Sequence, residues 1–177
     1  DDTSYARVSG EWCVTNRPTP GYANTDEGYA AFAAERGFGD VSVQITEVCL
    51  RGETLYRDAD GDASDWIELY NAGTEGVSLG GWYLSDDPDE PARWRIPDIM
   101  LAPGEYRVIF ASGKNRTQGE LHTDFALSAG ESVVLTTPIG STADRVELTL
   151  TEPDASLALL GGEWRECASP TPGKANG

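Results

Sequence analysis

The sequence predicts an all-β sandwich with a short helix and a strand-like extension at its N-terminal end. Three observations predict it. From residue 41 onward, apolar residues recur with a period of two in run after run. Turn-forming Gly, Pro and Asp separate the runs at intervals of about 8–15 residues, the spacing of short strands in a sandwich. No long stretch carries the 3.6-residue apolar period of a long helix.

Residues 1–24 read as a strand-like end followed by a Pro/Gly turn. Residues 26–36 are Ala-rich, with acids at the start, Arg36 at the end, and Tyr29, Phe32 and Ala33 at i, i+3, i+4 spacing. Thr25 or Asp26 can cap this short helix and Gly37 can stop it. Strand signals follow. Val41, Val43 and Ile45 alternate with polar residues, and Val48 and Leu50 come next. Ile67 and Leu69 alternate with Trp66, Glu68 and Tyr70. Val77 and Leu79 precede Trp82-Tyr83-Leu84, and Arg93-Trp94-Arg95-Ile96 is a further short run. Residues 106–110, 132–137 and 145–150 are rich in strand formers. Gly80-Gly81, Asp87-Pro88, Ala102-Pro103-Gly104, Ala129-Gly130 and Pro138-Ile139-Gly140 supply turns between them.

The two ends of the chain carry nearly the same text. Glu11-Trp12 followed by Pro18-Thr19-Pro20-Gly21-Tyr22-Ala23-Asn24 returns as Glu163-Trp164 followed by Pro170-Thr171-Pro172-Gly173-Lys174-Ala175-Asn176, 152 residues later. Upstream, Ser4-Tyr5-Ala6 lies over Ser156-Leu157-Ala158 in the same register. A repeat of this kind fixes the unit. Residues 1–24 read as the C-terminal end of a preceding similar domain, 25–40 as a helical linker, and 41–177 as a complete domain. A helical connector holds neighbours more rigidly than a Gly/Ser linker does. Tyr5, Val8, Trp12 and Val14 are apolar enough to need cover, and the expectation is that they pack on the sandwich as an added edge strand.

Composition narrows the function. The 177 residues carry a net charge of −17, a balance that repels phosphate backbones and anionic membranes, so neither nucleic acid nor membrane insertion is expected. No apolar run approaches the ~20 residues of a spanning helix. The chain starts at Asp1, which reads as a mature or cut form. The three cysteines, Cys13, Cys49 and Cys167, form no C-x-x-C pair and allow at most one intramolecular disulfide. In an extracellular protein the pairs would be Cys49 with Cys167 or Cys13 with Cys49. The other reading is three small apolar residues without a bridge.

Ile45-Thr46-Glu47-Val48, Asp65-Trp66-Ile67-Glu68-Leu69-Tyr70-Asn71 and Leu79-Gly80-Gly81-Trp82-Tyr83-Leu84-Ser85-Asp86 resemble the lamin tail domain. Trp94-Arg95-Ile96-Pro97, Leu101-Ala102-Pro103-Gly104-Glu105-Tyr106, Leu121-His122-Thr123-Asp124-Phe125 and the closing Pro170-Thr171-Pro172-Gly173 fit the same pattern, so the resemblance covers about residues 41–177. It implies an immunoglobulin-like β-sandwich. It also implies a part in secreted or surface bacterial proteins, where such domains accompany other modules, and it brings no shared catalytic residues. The coiled-coil heptads of the nuclear lamins are absent from this sequence.

Asp58-Ala59-Asp60-Gly61-Asp62-Ala63-Ser64-Asp65 is the strongest chemical candidate. Carboxylates at alternating positions around a glycine are what a Ca²⁺ loop needs. Asp58, Asp60 and Asp62 are the candidate ligands, expected to bind weakly. The EF-hand pattern is incomplete, because Ala63 stands where its glycine belongs and Leu69 where its bidentate glutamate belongs. An acidic solvated turn is the plainer reading. Ser85-Asp86-Asp87-Pro88-Asp89-Glu90-Pro91 reads as an acidic loop tip. His122, the single histidine, has Asp124 and Ser128 near it in sequence but no nucleophile elbow, so its expected role is structural. The five tryptophans read as packing residues, with an exposed aromatic platform as the other option. No phosphate-binding glycine loop is present, and no cofactor other than Ca²⁺ is indicated. The expected function is a non-catalytic spacer, anchoring or adhesion module, extracellular or on the cell surface, with neighbouring domains of the same polypeptide as partners. The alternative is a Ca²⁺-dependent carbohydrate- or protein-binding module.

Overall fold

The computed structural model describes residues 4–15, 19–35, 42–149 and 151–177. Along the chain run β1 (Ser4–Val8), β2 (Glu11–Thr15), α1 (Asp26–Glu35), β3 (Val43–Cys49), β4 (Asp65–Asn71), β5 (Val77–Ser78) and β6 (Tyr83–Ser85). They are followed by β7 (Trp94–Arg95), β8 (Met100–Leu101), β9 (Tyr106–Ala111), β10 (Ser132–Thr136), β11 (Thr142–Glu147), β12 (Ser156–Leu160) and β13 (Glu163–Cys167). A five-stranded sheet, β13-β12-β3-β4-β9, packs on a four-stranded one, β11-β10-β6-β7. Every pairing is antiparallel, and the result is the immunoglobulin-like β-sandwich the sequence predicts. Ile45, Ile67, Leu69 and Ile109 from one sheet meet Leu84, Val133, Leu135 and Val146 from the other in a single core. No helix among the described residues is long and apolar enough to cross a membrane.

One extra residue sets which side chains of β3 face inward. Ile45 lies opposite Leu69, but Glu47 lies opposite Glu68, so Thr46 is a bulge. Without it, residue 47 would share the core face of Val43 and Ile45, because strand side chains alternate. With it, Val48 turns into the core and Glu47 joins the other face beside Glu68. The amide of Ile45 next to the bulge donates to Asp144 Oδ2 of β11 at 2.8 Å, which ties the sheets together at this point.

The Asp65–Asn71 strand spends each residue differently. Ile67 and Leu69 fill the core. Trp66 faces the other way and packs with Cys49 and Phe110 under Tyr56. Tyr70 stacks on Tyr106 with ring centres 4.4 Å apart. The buried Asn71 amide donates to the carbonyls of Glu75 and Leu101 and accepts from the Gly73 amide and the Ser42 hydroxyl. The strand is therefore covered on both faces, which accounts for its aromatic outer positions. Trp66, Trp82 and Trp94 are buried and Trp164 packs on the core, as the packing reading expects, whereas Trp12 is exposed and departs from it. Leu79-Gly80-Gly81-Trp82 carries two buried anchors around Gly81, whose φ of 85° a side chain would strain.

The N-terminal segment differs from expectation. β1 and β2 pair only with each other, as a two-stranded sheet, and add no edge strand to the sandwich. Tyr5 is 75% exposed and Trp12 70%. The reason lies in side-chain direction: the hairpin has one apolar face and nothing among the described residues lies over it. Helix α1 follows, capped by the Thr25 hydroxyl, which accepts from the Gly28 amide at 3.1 Å. Phe32 is buried with its ring against the edge of Tyr22, and Tyr29 Oη lies 3.4 Å from Ser141 Oγ of the sandwich. All three cysteines are free: Cys49 is buried, Cys13 exposed and Cys167 half-buried, so the small-apolar reading fits Cys49 alone. Burial pushes the Cys49 thiol up to about 11. Gly37, Val41 and Leu150, named above in the helix and strand signals, lie outside the described residues.

Candidate functional site

Two groups of carboxylates stand apart from ordinary surface acids. The first is the predicted Ca²⁺ loop. Its shape is set by Asp58, whose buried side chain accepts from the amides of Asp60 and Asp62 at 3.0 and 2.9 Å through Oδ1. The Gly61 amide closes the turn on the Asp58 carbonyl, and Arg57 Nη1 reaches the Gly61 carbonyl at 2.8 Å. This brings one oxygen each of Asp58, Asp60 and Asp62 within 4.8 Å of one another.

The three carboxylates converge on a cation of the chain itself. Lys114 Nζ donates to Asp58 Oδ2, and lies 2.9 Å from both Asp60 Oδ2 and Asp62 Oδ2. An ammonium has three N–H donors, and here each has one carboxylate. Arg116 adds a second contact to Asp60 at 2.6 Å. Two cations against three anions leave the cluster at −1. The guanidinium of Arg116, followed by the Lys114 ammonium, holds Asp60 down to about 2. Burial works against ionisation of Asp58, but hydrogen bonds from Lys114 and from the Asp62 and Asp60 amides outweigh it, and its carboxyl lies below the ordinary range. Lys114 is held above its usual value, mainly by Asp58. A Ca²⁺ ion at these oxygens would have to displace Lys114, and would still need oxygens beyond the three carboxylates, since it takes about six to eight.

The second group is Glu47 and Glu68, cross-strand neighbours on the outer face of the large sheet, both without exposed surface. No salt bridge reaches either one among the described residues. Hydrogen-bond donors take the place of a cation. Ser156 Oγ donates to Glu47 Oε1 at 2.5 Å, and the Thr171 amide reaches Glu47 Oε1 and Oε2 at 3.2 and 3.1 Å. Thr46 Oγ1 donates to Glu68 Oε1 at 2.7 Å, and the Gly173 amide to Glu68 Oε2 at 2.7 Å. Asn176 Nδ2 donates to the carbonyl of the bulged Thr46 at 2.8 Å, while its Oδ1 accepts from Thr171 Oγ1. The closing Pro-Thr-Pro-Gly-x-Ala-Asn peptide is thus a strap laid over two buried acids. Burial, opposed by the Thr46 and Gly173 donors and reinforced by Glu47, pushes Glu68 up to about 7. Burial likewise raises Glu47.

The remaining candidates have structural roles. His122 is buried, stacked on Phe110, with Nδ1 2.9 Å from Ser112 Oγ. Asp124 and Ser128 are engaged elsewhere, Asp124 facing Arg93 at 3.6 Å and the Ser128 amide donating to Glu131. Burial and then Lys114 lower the His122 pKa, which favours the neutral ring. In the second acidic loop Asp86 is held by Arg93 at 2.5 Å, and the Ser85 hydroxyl bonds the backbone of Asp87.

Sequence reading grouped Asp58, Asp60 and Asp62 but missed Lys114, which lies more than fifty residues away on another loop. It also missed the Glu47–Glu68 pair. The available signal was a glutamate at the outward position of two adjacent strands whose neighbours on that face are large and apolar.

The Lamin Tail Domain family model matches residues 40–150. No curated protein matches the chain. The match takes in both carboxylate groups and stops before β12, although β12 pairs with β3 inside the same sheet.

Two predictions follow from these contacts. Removing the ammonium in Lys114→Ala leaves the Asp58 side chain without its cation and is expected to lower the thermal midpoint. In thermal melts, millimolar Ca²⁺ should raise the midpoint of this variant more than that of the parent protein; an equal response would contradict the lysine's place in the site. Glu68 gives a pH dependence. Its folded pKa lies above its ordinary value, so between about pH 4.5 and 7 the folded state holds a proton that the unfolded chain releases. Stability from this group is therefore lost as pH rises through that window. The urea midpoint of the parent protein should fall from pH 5 to pH 7.5, and Glu68→Gln should flatten the fall.

Proposed function

The chain belongs to the lamin tail domain family, and on that premise we propose that it is a non-catalytic spacer module of a multi-domain bacterial protein, secreted or displayed at the cell surface. Its family is an immunoglobulin-like one without enzymatic character, which fits a non-catalytic part. Anchoring and adhesion are variants of the same positioning role. The observation that carries the reading is the correspondence between the two ends. β1 pairs with β2 from Ser4 opposite Thr15 to Val8 opposite Glu11, and β12 pairs with β13 from Ser156 opposite Cys167 to Leu160 opposite Glu163. Thr19 Oγ1 donates to Asn24 Oδ1 as Thr171 Oγ1 does to Asn176 Oδ1. Asn24 Nδ2 reaches the Arg7 carbonyl as Asn176 Nδ2 reaches that of Leu159. Two closing hairpins on one chain support a place within an array of like domains, with α1 as the connector. The net charge of −17 argues against nucleic acid as a partner.

The acids whose pKa values are raised also support a non-catalytic role. Perturbed carboxylates mark active sites when they line an open cleft. Here Glu47 and Glu68 are covered by the strap, and they line neither the concavity beside the N-terminal hairpin nor the one beside Tyr56 and Trp66. The second reading, a Ca²⁺-dependent carbohydrate- or protein-binding module, draws on the convergence of Asp58, Asp60 and Asp62. Lys114 weighs against it, because its ammonium already occupies those oxygens.

Replacing residues 42–177 within the parent polypeptide by an unrelated immunoglobulin-type sandwich of similar length tests the proposal. A spacer predicts that the neighbouring modules keep their activity and location. Loss of cell or ligand attachment would instead assign adhesion to this domain's own surface, and a turnover abolished by Glu68→Gln would overturn the non-catalytic reading.

A further inference from the structure

The N-terminal hairpin offers a set of groups that the C-terminal hairpin shows in use. In the sandwich, β12 pairs with β3 so that Leu157 faces Val48 and Ala158 faces Glu47. Leu157 is buried in the core and Trp164 packs against it. Ser156 Oγ and the amides of Thr171 and Gly173 bind the two glutamates. The corresponding groups at the other end are Tyr5, Ala6, Trp12, Ser4, Thr19 and Gly21. The turn after β1 has the same backbone, with φ of 51° and 91° at Ser9 and Gly10 against 59° and 86° at Gly161 and Gly162. Gly21 and Gly173 match as well, at 87° and 81°. The hairpin and its turn therefore already hold the shape that docks on a strand carrying the glutamate pair.

No such strand lies there among the described residues, and β1 has β2 as its one sheet partner. A concavity of about 490 Å³ opens between the hairpin, its turn and α1, lined by Ala6, Thr19 and Asn24 among others. Their counterparts Ala158, Thr171 and Asn176 all touch β3. The same space in the sandwich is thus filled by a strand. We propose that the β1–β2 hairpin and residues 19–24 are an interaction surface for a sandwich of the same family lying N-terminal to it in the polypeptide. That partner inserts, beside β1, a strand whose glutamate is paired cross-strand with a second glutamate. Charge complementarity selects it, since Ser4 Oγ and the Thr19 and Gly21 amides are donors at the positions whose counterparts bind two carboxylates. Apolar cover completes the fit: Tyr5 becomes buried as Leu157 is, and Trp12 half-buried against a core as Trp164 is. This inference rests on the multi-domain reading and adds the identity and chemistry of the contact.

The test compares Trp12 in the 177-residue chain with Trp12 in the natural polypeptide that includes the residues preceding Asp1. Every other tryptophan of this chain is replaced by Phe in both, and the upstream tryptophans likewise, so that acrylamide quenching reads Trp12 alone. The expected result is a severalfold drop in quenching in the longer polypeptide, reversed by Ala6→Arg without a change in the thermal midpoint of the downstream sandwich. Equal quenching in the two, with the upstream segment folded as a sandwich by circular dichroism, overturns the contact and leaves the multi-domain reading standing. Absence of an upstream sandwich overturns both. A 177-residue chain that is dimeric by light scattering, with Trp12 already protected, overturns the proposal by making a second copy the occupant.

Discussion

The rest of the sandwich depends on two buried carboxylates that have no cation beside them among the described residues. Glu47 and Glu68 lie side by side under residues 169–176, and only hydrogen-bond donors satisfy them. Buried charges are costly unless paired or fully hydrogen-bonded. The cost here falls in two ways: the strap supplies backbone amides, and Glu68 is raised enough to hold a proton near neutrality. The consequence runs outward. The Thr46 bulge exists to place Glu47 on this face, β12 reaches Glu47 through Ser156, and the closing peptide has a defined end because Asn176 binds the bulge carbonyl. A Pro-rich segment outside any strand is thereby held by the middle of the central strands.

The second carboxylate group solves the same problem by the opposite route. Asp58 is buried too, but Lys114 and Arg116 bring charge to the cluster, and Asp58 and Asp60 are pushed down instead of up. One fold thus shows both ways of keeping acids inside a negatively charged protein. In the first, burial favours the neutral form, and hydroxyl and amide donors satisfy the oxygens. In the second, cations favour the ionised form. The lysine bridge also fastens the loop of residues 58–65 to the segment after β9, a link that no strand pairing provides.

Much of this fold was legible in the sequence because strand periodicity and turn chemistry are local. Ile67 and Leu69, Val133 and Leu135, and the Gly80-Gly81 turn all sit where their patterns place them. The Asp58-Asp60-Asp62 loop was legible for the same reason. What could not be read were contacts that depend on tertiary register. Lys114 comes from a distant loop, and the Glu47–Glu68 pairing depends on a bulge that alternation alone does not announce. The edge-strand expectation for residues 1–24 failed on a related point. Apolar side chains such as Tyr5 and Trp12 declare that cover is needed, but they do not say from where, and the sandwich of this chain already has β12 and β13 in the equivalent place.

The most direct test of the account is amide hydrogen exchange at Thr171 and Gly173. Both lie in a Pro-rich terminal segment outside any strand, where unprotected exchange would be the ordinary expectation. The account predicts that they exchange as slowly as amides of β3 and β4, and that Glu47→Ala together with Glu68→Ala releases them. Exchange at free-peptide rates in the parent protein would contradict the claim that the buried acids hold the strap.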